Sequence, residues 1–307
     1  MEILKLQPIF KDYIWGGQRL REDFGFQSDL PKLAEGWMLA CHQAGMNTID
    51  GGSYDGQPLE QVVESVGKET LCGTNAARFP YFPVLIKLID AKDNLSIQVH
   101  PDNDYARRVE NEFGKTEMWY VLDCEPGAFL YYGFDHEISR EELEERIRNN
   151  TLTEVLNAVP VKKGDCFFIP SGTLHAICKG VVVAEVQQNS NVTYRVYDYG
   201  RVGADGKPRA LHVKQALEVM RRTPPEQHDF SPHLAKCDYF TVDVVAGGYT
   251  GTADEMSFVS LLITEGEGRL TCGGETVQAK KGDSFFITAG SGAYALTGSC
   301  KALLTTV

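Results

Sequence analysis

Several features are missing from this chain of 307 residues. It has 8 cysteines but no C-x-x-C pair, so the sequence shows neither a disulfide framework nor a thiolate zinc knuckle. No apolar run approaches the roughly 18 residues that a membrane-spanning helix needs. The chain has 30 Lys and Arg but 42 Asp and Glu, so the excess of basic residues that nucleic-acid binding requires is also absent. We therefore expect a cytoplasmic protein with no membrane and no nucleic-acid partner.

Short apolar runs separated by Gly, Pro and Asp make up much of the sequence. Glu117 to Leu122 and Val181 to Val186 are two examples. Such runs predict the strands of a β-barrel or sandwich. The clearest helical pattern extends from Arg140 to Ala158, and Ser139 and Glu142 form a capping box at its start. The predicted class is mainly β with helical insertions.

An internal repeat predicts two barrels. The segment KKGDCFFIPSG at 162–172 returns as KKGDSFFITAG at 280–290, with 8 of 11 positions identical. Its Gly-Asp pair predicts a tight turn and its Phe-Phe-Ile run a buried strand, so each copy is one turn-strand-turn unit of a barrel. His175 follows the first copy, whereas Ala293 stands at the matching position after the second. Only the first barrel therefore carries a metal-binding side chain there.

A proline-containing stretch is the predicted boundary between the two barrels. Pro224 and Pro225 follow a helical pattern, and Ser231-Pro232 comes soon after. We predict that residues 1–228 form a metal-binding catalytic domain with a helical insertion. Residues 229–307 would form a second barrel without metal ligands, whose predicted role is packing and assembly.

Two pairs of polar side chains with strand spacing predict a metal site. Gln98 and His100 are two residues apart, and Lys115 and Glu117 repeat this spacing at the start of another strand. Residues i and i+2 of a strand share a face, so these side chains can converge with His175 in a barrel mouth. Two imidazoles, one carboxylate and one amide oxygen suit a divalent ion such as zinc. Because Glu117 is the one charged ligand, the site would keep about one net positive charge, which favours an anionic intermediate.

A basic cluster lies further along this acidic chain. It consists of Arg195, Arg201, Lys207, Arg209 and Lys214. An arginine side chain matches a phosphate or carboxylate group bidentately, so the cluster is suited to capture such an anion. Arg195 lies between Tyr194 and Val196 and is expected to point inward. The other four are equally compatible with a solvated loop.

Six short motifs along the chain resemble one enzyme family. They are I-W-G-G at 14–17, A-E-G-W at 34–37, S-I-Q-V-H-P-D at 96–102, G-K-T-E at 114–117, P-S-G-T-L-H at 170–175, and the stretch 185–201. By these motifs the sequence resembles the type I mannose-6-phosphate isomerases of the cupin superfamily, in their short bacterial form. The resemblance implies two cupin-type jelly-roll β-barrels. It also implies reversible conversion of mannose 6-phosphate and fructose 6-phosphate through an enediol.

The resemblance further implies roles for single residues. The zinc ligands, for one ion per chain, would be Gln98, His100, Glu117 and His175. Arg195 would be catalytic at the sugar, and Ser96 and Lys115 would bind substrate together with it. Glu185 matches a carboxylate proposed for proton transfer, while Lys115 would either hold the phosphate or move a proton. A homodimer is a further expectation.

Two other functions are compatible with the same residues. A cupin dioxygenase or decarboxylase also holds a divalent ion in a β-barrel, but such sites tend to use three His and one Glu, and Gln98 and the basic cluster argue against it. A cupin that binds a phosphosugar without converting it is the second alternative. An additional nucleotide-transferase activity is disfavoured because the sequence has no Gly-rich phosphate loop.

Overall fold

The computed structural model describes residues 3–203 and 206–307 of the chain. Its α-helices are α1 (Arg19–Phe24), α2 (Leu59–Val66), α3 (Lys68–Cys72), α4 (Asn103–Val109), α5 (Arg140–Arg148) and α6 (Val213–Val219), and short 3-10 turns span Gly52–Tyr54, Thr74–Arg78 and Leu152–Val155. The strands are β1 (Ile3–Gln7), β2 (Ile9–Lys11), β3 (Glu35–Leu39), β4 (Cys41–His42), β5 (Gly45–Met46), β6 (Thr48–Ile49), β7 (Val84–Ala91), β8 (Ile97–Val99), β9 (Glu117–Cys124), β10 (Phe129–Phe134), β11 (Leu156–Pro160), β12 (Cys166–Ile169), β13 (His175–Ile177), β14 (Val181–Gln188), β15 (Tyr194–Tyr197), β16 (Ala235–Lys236), β17 (Thr241–Ala246), β18 (Tyr249–Ala253), β19 (Val259–Cys272), β20 (Glu275–Lys280), β21 (Ser284–Ile287) and β22 (Gly292–Thr306). The predicted class, mainly β with helical insertions, is confirmed. Among the described residues, no helix combines the length and apolarity required to cross a membrane.

Two antiparallel sheets face each other in the first part of the chain. One has 6 strands in the order β12-β9-β14-β7-β3-β2, and the other has 5 in the order β11-β10-β13-β8-β15. Side chains of both meet in one apolar core, where Ile89, Trp119 and Val183 of the first sheet pack with Leu130 and Ile177 of the second. Facing sheets bury the inward half of each strand's side chains and leave a layer between them. That layer holds the site described below.

A third sheet of 9 strands contains β16 to β22 together with β1 and β6 from the beginning of the chain. Neighbouring residues of a strand point to opposite faces, so the Phe-Phe pair of the second repeat copy serves two cores. Phe285 packs in the core of this unit, and Phe286 packs in a larger core shared with the first unit. The division between residues 228 and 229 stays a prediction. Strand β1 pairs with β21 and so lies in the sheet of the second unit.

The two copies of the repeat have the same turn geometry. Gly164 has φ 91° and Gly282 has φ 92°, a conformation that strains residues carrying a Cβ. In each copy the following aspartate accepts the backbone N–H of the first lysine at 2.9 Å. The next residues form β12 in the first copy and β21 in the second, as predicted. The predicted burial holds for β21, whereas β12 is an edge strand whose Phe167 and Phe168 are only half-buried. Apolar side chains pack in the interior of the second unit. That this unit has no metal ligands stays a prediction.

The helix predicted from Arg140 to Ala158 is shorter in the structure. Ser139 caps it as expected, because its hydroxyl accepts the backbone N–H of Glu142 at 3.0 Å. The helix ends well before Ala158, where Asn150 adopts a left-handed conformation with φ 57°. A 3-10 turn follows at Leu152–Val155, and the residues from Leu156 onward form β11, which pairs with β10. The prediction was wrong there because pairing with a distant strand outweighs local helical periodicity.

Candidate active site

Several of the residues singled out in the sequence line one cavity between the two facing sheets. This cavity has a volume of about 280 Å³, and its walls include Ser96, Gln98, Lys115, Glu185 and Arg195. Strands β8 and β15 of the smaller sheet supply Gln98 and Arg195, and β14 of the larger sheet supplies Glu185. Ser96 and Lys115 lie just before β8 and β9, so four separate segments meet at this place.

His100, Glu117 and His175 form a fully buried cluster beside the cavity, and their ligand atoms all lie within 4.8 Å of one another. The two imidazole Nε2 atoms are 3.2 Å apart. Oxygens of Glu117 lie 3.5 Å from Nε2 of His100 and 3.3 Å from Nε2 of His175. Tetrahedral zinc with bonds of about 2.0–2.1 Å separates its ligands by about 3.3 Å. The spacing of these three side chains therefore fits such an ion.

The hydrogen bonds of the two histidines direct their free nitrogens at each other. Nδ1–H of His100 donates to the carbonyl of Val192, and Nδ1–H of His175 donates to the carbonyl of Thr173, both at 2.8 Å. Burial lowers the pKa of His175 to about 4 and that of His100 well below its usual value, so both rings are neutral. Oε1 of Glu117 is also buried, and no hydrogen bond satisfies it. Acceptor atoms facing one another in this way could hold a metal ion, and in the structure the Lys115 ammonium lies against two of these side chains.

Gln98 lies directly opposite His175 in the pairing of β8 with β13. Directly opposed residues of antiparallel strands project on the same face, which places both side chains on the cavity side. The hydroxyl of Ser96 donates to Oε1 of Gln98 at 3.5 Å. The assignment of Gln98 as a fourth ligand stays a prediction.

Lys115 and Glu185 connect this cluster to the cavity. The ammonium of Lys115 contacts the Glu117 carboxylate and lies 3.1 Å from Nε2 of His100 and 3.8 Å from Oε1 of Glu185. The indole N–H of Trp119 donates to the other oxygen of Glu185 at 2.8 Å. Burial raises the pKa of Glu185, but the neighbouring lysine cations outweigh burial and lower it overall. Burial and the Glu185 charge raise the pKa of Glu117 to about 7. The pKa values of the two carboxyl groups are thus shifted in opposite directions, a pattern typical of catalytic sites.

Arg195 lies in β15 and is positioned by the segment that follows this strand. One of its terminal nitrogens donates to the carbonyl of Ala210 at 2.9 Å, whereas its Nε is buried and has no hydrogen-bond partner. A buried guanidinium nitrogen without a partner is costly unless a ligand satisfies it. The inward orientation expected for Arg195 is therefore found.

The basic cluster divides into two groups in the structure. Arg209 lines the cavity together with Arg195 and is held by two hydrogen bonds to the Asp198 carboxylate. Arg201 also pairs with Asp198 but does not line the cavity. Lys207 and Lys214 are exposed. The cavity walls carry Lys87, Lys115, Arg195 and Arg209 against Glu35 and Glu185, an excess of positive charge in an acidic protein.

Two charged residues of the cavity received no role from the sequence. Lys87 lies in the middle of β7, an otherwise mostly apolar strand, and is only 5% exposed. Glu35 begins β3 and is 8% exposed. The sequence signal for Lys87 was its position within the apolar run, because lysine is almost never buried unless it is paired. Tyr13, Trp15 and Trp119 complete the aromatic part of the wall.

Two family models match the chain. Residues 3–125 match the catalytic domain of type I phosphomannose isomerases, and residues 231–307 match the cupin domain of mannose-6-phosphate isomerases. The cupin-like fold predicted from the sequence is therefore confirmed, with facing sheets rather than closed hydrogen-bonded barrels.

Characterised relatives match over nearly the whole chain. The mannose-6-phosphate isomerase ManA of Bacillus subtilis is 38% identical over 99% of this chain and 98% of its own length. The mannose-6-phosphate isomerase of Streptococcus mutans is 37% identical over 93% and 92% of the two chains. The crystal structure of mannose 6-phosphate isomerase from Bacillus subtilis superimposes with a TM-score of 0.91 at 33% identity and full coverage of both chains. A putative mannosephosphate isomerase from Archaeoglobus fulgidus, 22% identical with a TM-score of 0.80, shares the fold. This chain belongs to the type I phosphomannose isomerase family.

Proposed function

We propose that this protein interconverts mannose 6-phosphate and fructose 6-phosphate, using one zinc ion per chain. The observation that carries the proposal is the buried cluster of His100, Glu117 and His175 beside a cavity whose walls bear Lys115, Glu185 and Arg195. Gln98 is the proposed fourth ligand. The relatives named above support the substrate, and the excess of basic side chains in the cavity suits an anionic phosphosugar.

The difficult step of an aldose-ketose conversion is removal of a proton from carbon. When bound, zinc supplies Lewis-acid polarisation of substrate oxygens next to that carbon. Glu185 is the proposed acid/base that moves the proton between C2 and C1, since its carboxylate is ionised and fixed by Trp119.

Two basic side chains would assist this proton transfer. Arg195 would donate hydrogen bonds to the negative charge that develops on the enediolate, the same electrostatic principle as an oxyanion hole. Lys115 would hold the phosphate or move a second proton, and its contacts with Glu117 and Glu185 are compatible with both roles. Ser96, at the cavity wall, is the remaining proposed substrate contact. Cytoplasmic location and a homodimer stay predictions.

One coupled assay tests the proposal. The protein is treated with chelator, refilled with zinc, and given mannose 6-phosphate while fructose 6-phosphate is followed. We expect turnover that is lost with the metal and restored by zinc. Binding of mannose 6-phosphate without turnover would instead support a phosphosugar-binding cupin. Oxygen uptake with iron or manganese would support a dioxygenase.

A further inference from the structure

A row of cross-strand neighbours runs over four strands of the larger sheet. In the pairing of β3 with β7 and of β7 with β14, Trp37 lies opposite Lys87, and Lys87 lies opposite Glu185. On the other side of β14, Glu185 lies opposite Trp119. Directly opposed residues of antiparallel strands project on the same face. The register alone therefore aligns a lysine and a glutamate between two tryptophans.

Five charged side chains of alternating sign follow one another at this place. They extend from the carboxylate of Glu35 to that of Glu117, which belongs to the cluster of His100, Glu117 and His175. Nζ of Lys87 lies 3.5 Å from Oε2 of Glu35 and 3.4 Å from Oε1 of Glu185. Lys115 then follows Glu185 and contacts Glu117. All five side chains are at most 8% exposed. Buried charges are tolerated only when each is paired, so every member of the chain depends on its neighbours.

Lys87 is held in place from its other side. The indole N–H of Trp37 donates to Oε2 of Glu35 at 2.7 Å, and Nζ of Lys87 lies 5.2 Å from the centre of the Trp37 ring. Burial lowers the pKa of Lys87, but Glu35 and Glu185 raise it above its usual value overall, so its ammonium stays charged. The cation therefore sits at a fixed point of the sheet between two carboxylates.

The two oxygens of Glu185 are in different surroundings. Oε2 accepts the indole N–H of Trp119, whereas Oε1 is buried and has no hydrogen-bond partner. Lys87 attracts Oε1 from 3.4 Å as an ion pair without a hydrogen bond, which orients this oxygen while leaving its lone pairs free to accept a proton. Lys115 is less suited to this task because it is shared with Glu117 and lies further from Oε1, at 3.8 Å.

We propose that Lys87 is a positioning residue that fixes the Glu185 carboxylate for proton transfer, and that Glu35 anchors Lys87. The inference rests on the proposed isomerase function and on Glu185 as its acid/base. Lys87 also lines the cavity, and its proposed effect on the chemical step is exerted through Glu185. Misplacement of a catalytic group by about 1 Å can lower its rate by about 100-fold.

The experiment combines kinetics with the indole N–H resonances of the 3 tryptophans, all of which lie at this site. In Lys87→Met we expect kcat to fall by about 100-fold with KM for mannose 6-phosphate and zinc content nearly unchanged. The resonances of Trp37 and Trp119 should both shift. Their indole N–H groups donate to Glu35 and Glu185, and both carboxylates lose their ion pair with Lys87. Trp15 lines the same cavity but donates to neither carboxylate, so its resonance should move least. Glu35→Gln, which keeps the size of the side chain, should give a smaller fall in kcat with the same pattern.

Lys163→Met is the matched control. It removes a lysine that pairs with Glu265 at 2.7 Å on the surface, so kcat and all three resonances should stay as in the unaltered protein. Unchanged kcat in Lys87→Met would overturn the inference. So would a rise in KM alone, which would mean substrate contact, or a fall in kcat with unmoved Trp119 resonance. Should Lys87→Met fail to fold, Glu35→Gln decides by the same readouts. Failure of the unaltered zinc-loaded protein to convert mannose 6-phosphate would instead refute the proposed function itself.

Discussion

Zinc should stabilise the first unit against heat, and His175→Ala should abolish this response. The proposed ligands His100, Glu117 and His175 come from three segments that belong to two different sheets, so a bound ion links the sheets. An ion present at about 1,000 times its Kd contributes about 4 kcal/mol to the free energy of unfolding. For a unit of this size each kcal/mol shifts Tm by about 2–4 °C. We therefore expect zinc to raise Tm of the unaltered protein by roughly 8–16 °C.

The measurement compares calorimetric scans of chelator-treated and zinc-loaded protein, with metal content determined on the same samples. The zinc-dependent shift is the quantity of interest, because His175→Ala also loses packing of a buried ring and so lowers Tm without zinc. His136→Ala is the control, since His136 is exposed and should leave both zinc content and the shift unchanged. Retention of one zinc equivalent and of the full shift in His175→Ala would refute the ligand assignment.

Three further substitutions test separate parts of the structure. Arg195→Ala should lower kcat by about 100-fold or more, corresponding to about 3 kcal/mol, with zinc content unchanged, and turnover at the unaltered rate would contradict its catalytic role. Gly16→Ala should cost about 1–3 kcal/mol of stability by denaturant unfolding, because an added Cβ would lie 2.3 Å from the Cβ of Ala34, and an unchanged midpoint would argue against this close packing. Ser139→Ala should cost about 1 kcal/mol through loss of the α5 cap, and no measurable loss would mean that the cap is dispensable.

The site could largely be predicted because its residue types are encoded in short segments. Spacing of two on a strand placed Lys115 beside Glu117, and the structure brings their side chains into contact. His175, singled out by its comparison with Ala293, lies in the structure within the buried cluster of possible ligands, and the absence of metal ligands from the second unit stays a prediction. Lys87 received no role because its partners Glu35 and Glu185 lie far away in the sequence. The residues of β7 alone do not indicate which side chains pair with this lysine.

Local pattern and tertiary pairing thus determined different properties of this protein. The sequence by itself determined the mainly β class, the repeated turn-strand unit and the donor chemistry, because turns, strand periodicity and ligand type depend on neighbouring residues. Only the tertiary structure decided that β1 joins the sheet of the second unit, that β11 pairs with β10 instead of extending α5, and that Lys87 lies opposite Glu185. These depend on which distant strands pair and in what register, and the free energy of that choice comes from burying whole faces together, which no short segment specifies.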